Sequence, residues 1–327
     1  MEKNKLLYFL IASTFTLTSC NSNTHTEEPI DSTSDTHTEE STDITSDTHT
    51  EEQPIEARPI ISADGTAMSY GLYPQTNVND STLISSLNSL TTPESNGWYL
   101  YDGDYYAKVI AEPDNSSNTF DNGTVIEEGT TYWFKCEPIV WNVLSNTNGE
   151  YYVVSSVLLD VHCYYNSTSD RTVDDQTVYA NNYKYSDIRT WLNEDFYNSA
   201  FPKGNEYIQT TTVDNSASTT DSESNTFACD DTEDKVFLPS YQDYMNSSYG
   251  FSTTETRCCK TTDWARARGA LYNAGSPNLY NGAYWTRSPY SGVTQGVRNV
   301  GTDGNLGGTT VNNKRISVRP AITIKIS

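Results

Sequence analysis

The residue types that most often act as catalytic bases are sparse in the C-terminal part of this chain. Only one of the four histidines, His162, lies beyond residue 57, because His25, His37 and His49 fall in an N-terminal repeat. Nucleophilic catalysis needs a base beside the nucleophile, and neither a Gly-x-Ser-x-Gly elbow nor a Walker-type phosphate loop occurs. We therefore expect no histidine-dependent triad, and we interpret His162 beside Cys163 as an ordinary strand-end or loop residue.

Carboxylates, by contrast, are abundant, with a dense group at Asp230, Asp231, Glu233 and Asp234. Two carboxylates at a suitable separation hydrolyse glycosides, and clustered carboxylates also bind cations. This group lacks the glycine and the terminal glutamate of an EF-hand loop. We interpret it as a solvated acidic loop, and we predict no catalytic residue, no metal ion and no cofactor.

The cysteines number six, of which Cys20 stands apart near the N-terminus. The remaining five are Cys136, Cys163, Cys229, Cys258 and Cys259. An odd number leaves at least one thiol without an intramolecular partner. We predict a disulfide from Cys229 to Cys258 or Cys259 and structural or incidental roles for the other thiols.

Aromatic side chains are the most plentiful candidates for recognition. The chain has 24 tyrosines and six tryptophans, and only Tyr8 precedes residue 57. Rigid amphipathic rings give contact area at low entropic cost and also stack on sugars, although strands favour the same residues for their own packing. We single out residues 272–297 as a candidate ligand face, with Tyr280, Tyr284, Trp285 and Tyr290.

Three arginines lie beside bulky apolar residues, at Arg189, Arg287 and Arg319. A guanidinium group in such surroundings needs hydrogen-bond acceptors, because burying an unpaired charge is costly. We predict that the three form a structural polar network with buried carbonyls and carboxylates.

The elements that would position these residues follow an α+β pattern of short strands with a few helices. Apolar spacing predicts helices after Ser81, Ser186, Ser240 and Thr262, with the serines and the threonine as N-caps. Asp102-Gly103 predicts a hairpin turn. Alternation over residues 316–326 predicts a C-terminal strand, in which Pro320 should lie at an edge or a bulge.

Six phrases occur in order between residues 67 and 327, at 70–76, 137–144, 186–193, 234–240, 284–289 and 318–321. They include Tyr-Pro-Gln-Thr, Pro-Ile-Val-Trp-Asn-Val-Leu, Ile-Arg-Thr-Trp-Leu-Asn, Asp-Lys-Val-Phe-Leu-Pro-Ser, Tyr-Trp-Thr-Arg-Ser-Pro and Val-Arg-Pro-Ala. The chain thereby resembles an uncharacterised bacterial domain family that is common in exported proteins. That family in turn looks like a distant relative of the C-type lectin-like and formylglycine-generating-enzyme fold, which implies a C-type lectin-like α+β domain.

The resemblance leaves the activity open, because that fold hosts carbohydrate binding, protein binding and oxidase chemistry. Formylglycine-generating enzymes bind copper through two cysteines, which invites comparison with Cys258 and Cys259. Adjacent residues do not easily offer the linear pair of thiolates that copper prefers, so we expect no copper site.

The N-terminus resembles a bacterial lipoprotein signal. Residues 1–19 form a predicted signal peptide that ends in Leu17-Thr18-Ser19, and Cys20 follows as the predicted lipidated residue. An ordinary secretory signal is the alternative. Residues 20–56 form an acidic tether with a Thr-His-Thr-Glu-Glu repeat and 11 carboxylates after Cys20 but no lysine or arginine. Such a composition predicts disorder, with weak metal capture by the repeat as the less favoured interpretation. Residues 57–327 form the predicted α+β domain.

The charge of the chain excludes some partners. With 43 acidic and 20 basic residues the net charge is −23, which disfavours nucleic acid and basic-patch adhesion to anionic membranes. We expect a membrane-anchored protein of the bacterial cell envelope, outside the cytoplasm, that binds a protein or a glycan. The alternatives are a glycan hydrolase with paired carboxylates, a cysteine-dependent oxidase, or a structural envelope protein.

Overall fold

The computed structural model describes residues 58–201, 205–275 and 277–326. The predicted signal peptide, Cys20 and the acidic tether lie outside these residues. Residues from 58 onward belong to one compact unit, and its mixture of strands and short helices is an α+β fold. None of the helices within the described ranges is long and apolar enough to cross a membrane.

The strands and helices are named here in chain order. The strands are β1 (Ile60–Ile61), β2 (Ala67–Asn77), β3 (Tyr99–Tyr101), β4 (Asp104–Ile110), β5 (Thr131–Thr147), β6 (Glu150–Ser155), β7 (Asp160–Val161), β8 (Arg171–Val173), β9 (Gln176–Val178), β10 (Thr211–Val213), β11 (Thr232–Asp234), β12 (Tyr284–Pro289), β13 (Gly296–Val300), β14 (Leu306–Thr310), β15 (Ser317–Val318) and β16 (Ala321–Lys325). The α-helices are α1 (Ser81–Asn88), α2 (Asp187–Trp191), α3 (Tyr197–Ala200), α4 (Thr254–Arg257) and α5 (Asp263–Ala267). Short 3₁₀ helices cover Asn205–Tyr207, Ala217–Thr219, Asp243–Met245 and Ser247–Tyr249.

The larger sheet is built around β5, the longest strand. Among the described residues it has seven strands, in the order β1-β2-β5-β4-β3 with β6 and β16 added. One edge of β5 pairs with β2, and its other edge pairs first with β4 and then with β6. Asp102-Gly103 forms the turn between β3 and β4, which confirms the predicted hairpin.

The smaller sheet has the order β14-β13-β12-β15-β7, five strands within the part of the chain that the structure describes. It continues into the larger sheet, because β7 follows β6 and β16 follows β15 along the chain. The C-terminal run predicted as one strand is therefore divided between two sheets. Pro320 lies at the division, outside both strands, and its carbonyl accepts a hydrogen bond from the amide of Ser155.

The helices begin near the predicted positions. Ser186 caps α2 through a bond from the amide of Arg189, and Thr262 caps α5. Asp80, rather than the predicted Ser81, caps α1. The helix predicted after Ser186 continues beyond α2 as a π-helical turn, Leu192–Phe196, which leads into α3.

The core lies between the two sheets and the helices that cover them. Trp141, Trp285 and Tyr164 are among its largest fully buried side chains. A smaller apolar cluster joins α1 to β3, β4 and Trp133, whose indole nitrogen donates to Asn88 Oδ1 at 2.8 Å.

Candidate functional site

A cleft of about 320 Å³ lies beside β16, where the two sheets approach the 3₁₀ helix Asp243–Met245. Side chains from both sheets and from the loops around them form its wall. They are Ser145, Tyr152, Thr211, Thr212, Val213, Asp214, Phe237, Asp243, Tyr249, Arg287 and Thr323.

An ion pair between Arg287 and Asp243 forms the polar side of this cleft. Nη1 of Arg287 donates to Asp243 Oδ2 at 3.1 Å and to the Leu238 carbonyl at 3.0 Å, while Nη2 donates to the Asp214 carbonyl at 3.0 Å. The side chains of Arg287 and Asp243 are 8% and 18% exposed. Burial alone lowers the pKa of Arg287, but the charge of Asp243, the neighbouring Tyr152 and Tyr183 and the hydrogen bond to Asp243 together offset this effect, and the pKa is raised. The pair is therefore a fixed, charged feature of the wall.

Aromatic rings form the apolar side of the cleft. The ring of Tyr152 stacks on Phe237 with centroids 5.7 Å apart, and Tyr249 meets Tyr152 edge-on at 5.6 Å. The hydroxyl of Tyr152 donates to Asp243 Oδ2 at 3.3 Å. Burial and then the charge of Asp243 raise the pKa of Tyr152 well above its usual value. Its hydroxyl thus stays protonated. The hydrogen bond from this hydroxyl to Asp243 joins the aromatic side of the wall to the ion pair.

Two polar atoms of this wall are not used by the protein. The side-chain oxygen of Thr211 is buried and has no hydrogen-bond partner among the described residues. Asp243 directs Oδ2 to Arg287, Tyr152 and the amide of Ser240, whereas no described residue donates to its Oδ1. The Thr211 oxygen is enclosed by protein, whereas Asp243 Oδ1 is an acceptor that a ligand in the cleft can use.

The cleft wall also contains carboxylates, the groups that glycoside hydrolysis uses. Asp214 and Asp243 are the carboxylates of its described wall, and glycoside hydrolysis needs one of its two acids protonated. Hydrogen bonds from the side chain and amide of Ser216 lower the pKa of Asp214, so this group is ionised at neutral pH. The arrangement offers stacking and hydrogen bonding, which are the means of binding.

The predicted aromatic face is not formed as one surface. Tyr284 and Trp285 are fully buried, because β12 is an inner strand whose two faces are both covered. Trp285 donates its indole hydrogen to the carbonyl of His162 at 2.8 Å. Tyr280 and Tyr290 are partly exposed, but each packs on a different arginine. Of the four residues of the predicted ligand face, Tyr284 and Trp285 therefore do not lie at the surface.

The structure places the three predicted arginines against internal acceptors. Arg189 donates to Asp234 Oδ1 at 2.7 Å and Arg319 to the Ser155 carbonyl at 3.0 Å, while Arg287 makes the contacts given above. Only Arg287 of these three also lines the cleft.

The cysteines form no bridge in the structure. Cys136, Cys163, Cys229, Cys258 and Cys259, which all lie in the described ranges, are free thiols. The bridge expected from Cys229 to Cys258 or Cys259 is absent. Cys259 is buried and donates to the Ser156 carbonyl, and burial raises the pKa of both Cys229 and Cys259. Reactive cysteines have lowered pKa values, so these surroundings are those of structural thiols.

The remaining candidates lie apart from the cleft. His162 stacks on Trp191 with ring centroids 5.2 Å apart. In the acidic group, Asp230 pairs with Lys184 at the surface while Asp234 is buried against Arg189. No group of three or more metal-binding side chains occurs among the described residues.

Sequence reasoning missed most of the cleft. The helix predicted after Ser240 is the 3₁₀ helix that starts at Asp243, with Gln242 and not Ser240 at its N-cap. Ser240 and Asp243 exchange hydrogen bonds between side chain and amide. The wall comes from five strands, β5, β6, β10, β12 and β16, from two 3₁₀ helices, and from Asp214 and Phe237 between them. No spacing along the chain reveals that these segments meet.

Hydrogen bonds connect the six sequence phrases in pairs. Trp141 of the second phrase donates to the Tyr70 carbonyl of the first, and the Asn193 side chain of the third receives a hydrogen bond from the amide of Val236 in the fourth. Arg319 of the sixth donates to the hydroxyl of Tyr284 in the fifth. These phrases therefore build the frame that carries the cleft.

Comparison with known proteins gives one family. Residues 144–326 match the family described as a domain of unknown function (DUF6273). No curated protein and no solved structure matches the chain. The match contains four of the six phrases in full, and residues 70–76 lie ahead of it. Because it covers more than half of the chain, the protein belongs to this family of domains.

Proposed function

We propose that this protein is a lipid-anchored binding protein of the bacterial cell envelope, and that its α+β domain binds an uncharged glycan end in the cleft beside Asp243. The observation that carries the proposal is the single wall that combines the rings of Tyr152 and Tyr249 with the unpaired Asp243 Oδ1. Aromatic faces stack on sugar rings, and carboxylate oxygens accept from sugar hydroxyls.

The size and charge of the cleft agree with a small neutral group. Its volume of about 320 Å³ lies at the lower end of the range of roughly 300–1,000 Å³ for small-ligand sites. The charge of Arg287 is balanced by Asp243, so the wall offers no uncompensated cation for an acidic ligand. An acidic chain also repels polyanions.

A protein ligand is the other partner that the sequence suggests. A stable protein interface covers about 800 Å² on each side and would extend well beyond this concave wall. The glycan is therefore the better fit to the cleft, and a protein ligand becomes an outcome of the test below.

The anchor is supported by the sequence. The segment ending at Cys20 resembles a lipobox, and the acidic tether after it is suited to hold the domain away from a membrane surface. The intact mass of the native protein and its fractionation, compared with Cys20→Ala, test this part. An unmodified, freely released wild-type protein would overturn it.

A C-type lectin-like fold is the finer part of the proposal. It is supported by the position of the last strand, since β16 lies in the same sheet as the N-terminal β2. The resemblance also implies a Trp-x-Arg strand ahead of the final strand, and β12 contains Trp285-Thr286-Arg287. An experimental structure of the domain would test the fold directly.

Calorimetric titration of the full-length protein with a panel of neutral mono- and disaccharides tests the binding site. Tyr249→Ala removes a partly exposed ring from the cleft, and we expect about tenfold weaker binding. Tyr185→Ala is the matched control, because Tyr185 is exposed and does not line the cleft.

Two results would contradict the glycan site. One is saccharide binding that is equally affected by Tyr185→Ala and Tyr249→Ala. The other is no saccharide binding at all together with capture of an envelope protein that Tyr249→Ala abolishes, which would assign the cleft to a protein ligand.

A further inference from the structure

A second cavity of about 410 Å³ shares no wall residue with the cleft. Four chain segments surround it: the stretch after β4, the loop at Glu128-Gly129, the end of α5 at Arg268-Gly269, and Lys314-Arg315 ahead of β15. Main-chain hydrogen bonds join the first three of these segments. The amide of Glu112 donates to the Ala267 carbonyl at 2.8 Å, and the amide of Gly129 donates to the Ala111 carbonyl at 2.8 Å. The wall is thus built from fixed backbone.

Gly269 shows how closely these segments fit. Its φ is +99°, and a Cβ atom at this position would lie 2.9 Å from the carbonyl oxygen of Glu112. Only glycine adopts this conformation without strain. Arg268 is therefore held between two residues whose backbones contact Glu112, namely Ala267 and Gly269.

Arg268 is oriented toward the cavity by groups behind it. Its Nε donates to the buried Asp160 Oδ1 at 2.6 Å, and its guanidinium group lies over the Trp264 ring, 5.2 Å from the centroid. The side chain is 34% exposed, and its two terminal nitrogens donate to no described residue. A guanidinium held through Nε with both terminal nitrogens available is the arrangement that binds a carboxylate with two hydrogen bonds.

Three other charged groups of the wall have no ion-pair partner among the described residues. They are the ammonium of Lys314 and the carboxylates of Glu112 and Glu128. The other two charged groups, Arg315 and Asp114, pair with each other. The cavity therefore presents the unpaired ammonium of Lys314 and two unpaired carboxylates. It also presents the terminal nitrogens of Arg268, whose charge is compensated from behind by Asp160.

We infer that this cavity binds a small zwitterion of the amino-acid or short-peptide class. Arg268 and Lys314 hold its carboxylate, and Glu112 and Glu128 hold its ammonium group. The two unpaired carboxylates would repel a simple anion, and Arg268 and Lys314 would repel a simple cation. A ligand that carries both charges satisfies all four groups.

Three probes with the same glycylglycine backbone separate the two ends in calorimetric titrations of the full-length protein at neutral pH and low salt. Glycylglycine carries both charges, N-acetylglycylglycine lacks the ammonium, and glycylglycinamide lacks the carboxylate. Charge-assisted hydrogen bonds contribute enough that we expect each modified probe to bind about tenfold or more weakly than glycylglycine.

Two exposed substitutions assign the ends to their partners. Lys314→Met should weaken glycylglycine severalfold and leave the already weak glycylglycinamide unchanged, because that probe has no carboxylate. Glu128→Gln should weaken glycylglycine and leave N-acetylglycylglycine unchanged. Lys260→Met and Glu150→Gln, exposed residues outside the cavity, are the matched controls and should change nothing.

The inference fails if glycylglycine does not bind, if the two modified probes bind as tightly as it does, or if the control variants weaken it equally. It is independent of the glycan site. Tyr249→Ala should leave glycylglycine binding unchanged, and Lys314→Met should leave saccharide binding unchanged.

Discussion

The hydroxyl of Tyr73 donates a hydrogen bond of 2.6 Å to Oδ2 of Asp160, a carboxylate that is 2% exposed. Trp264 donates to the same oxygen at 3.1 Å, and Arg268 donates to Oδ1 at 2.6 Å. Tyr73 precedes the stretch that matches the family, while Asp160 lies within it. One buried carboxylate therefore ties β2 to the family region and also orients the arginine of the second cavity.

Asp160→Asn should destabilise the domain strongly. The change removes the negative charge that compensates Arg268. It also places an amide N–H group where the carboxylate accepts hydrogen bonds from Tyr73, Trp264 and Arg268. Breaking one partner of a buried ion pair costs about 3–5 kcal/mol. Urea denaturation measures the free energy of unfolding. Asp104→Asn is the matched control, because the Asp104–Lys135 pair is 46% and 41% exposed, and surface pairs contribute about 1 kcal/mol or less. Equal losses in the two variants would contradict the role of Asp160.

The region that matches the family should not fold by itself. A fragment of residues 144–326 keeps only the end of β5, so β6 loses half of its pairing with β5 and Asp160 loses Tyr73. We expect no cooperative thermal unfolding and rapid proteolysis of this fragment. Residues 58–326 are the control and should unfold cooperatively. A cooperative transition in the shorter fragment would show that β2 and β4 are dispensable.

Local signals in the sequence predicted the elements well. Ser186 and Thr262 cap helices, and Asp102-Gly103 turns a hairpin, because caps and tight turns depend on residues within a few positions of each other. The division of the C-terminal run was not predicted. Ile316 to Ile326 alternates as one strand does, and only the packing of two sheets decides that the chain changes sheets at Pro320.

The sites were much less predictable. Tyr284 and Trp285 look like ligand-stacking residues by composition, yet β12 has neighbours on both sides and both rings are buried. Tyr152 and Asp243 lie far apart along the chain and meet only when the fold is complete. Aromatic content alone therefore does not show which rings lie at the surface, because burial decides it.

Gly71→Ala should destabilise the domain far more than Gly65→Ala. Both glycines have positive φ, +78° and +73°, which costs an L-residue about 1–2 kcal/mol. At Gly71 a Cβ atom would also overlap the ring of Phe201, whereas at Gly65 nothing lies within 4 Å. Overpacking adds about 1–3 kcal/mol. Urea midpoints of the two variants measure the difference, and equal midpoints would show that Phe201 moves away freely.

Alkaline pH should unfold the domain through its buried tyrosines. Burial raises the pKa of Tyr73, Tyr164, Tyr244 and Tyr284 above the ordinary value of 10. Because these hydroxyls ionise more readily in the unfolded chain, their contribution to stability is complete below pH 10 and is lost as the pH rises toward the folded-state values. Each such tyrosine lowers the free energy of unfolding by about 1.4 kcal/mol per pH unit in that range.

The measurement is a pH titration that follows tyrosinate absorbance and near-ultraviolet circular dichroism together. Exposed tyrosines should ionise near pH 10 while the dichroism is unchanged, and the buried ones should ionise only in the cooperative step in which the dichroism disappears. Tyr244→Phe should move that step to higher pH, because Tyr244 carries a buried hydroxyl without a partner among the described residues and phenylalanine cannot ionise. Tyr185→Phe, at an exposed position, should leave it unchanged. Complete ionisation of all tyrosines near pH 10 with the dichroism intact would contradict the buried positions, since desolvation is what holds those hydroxyls protonated.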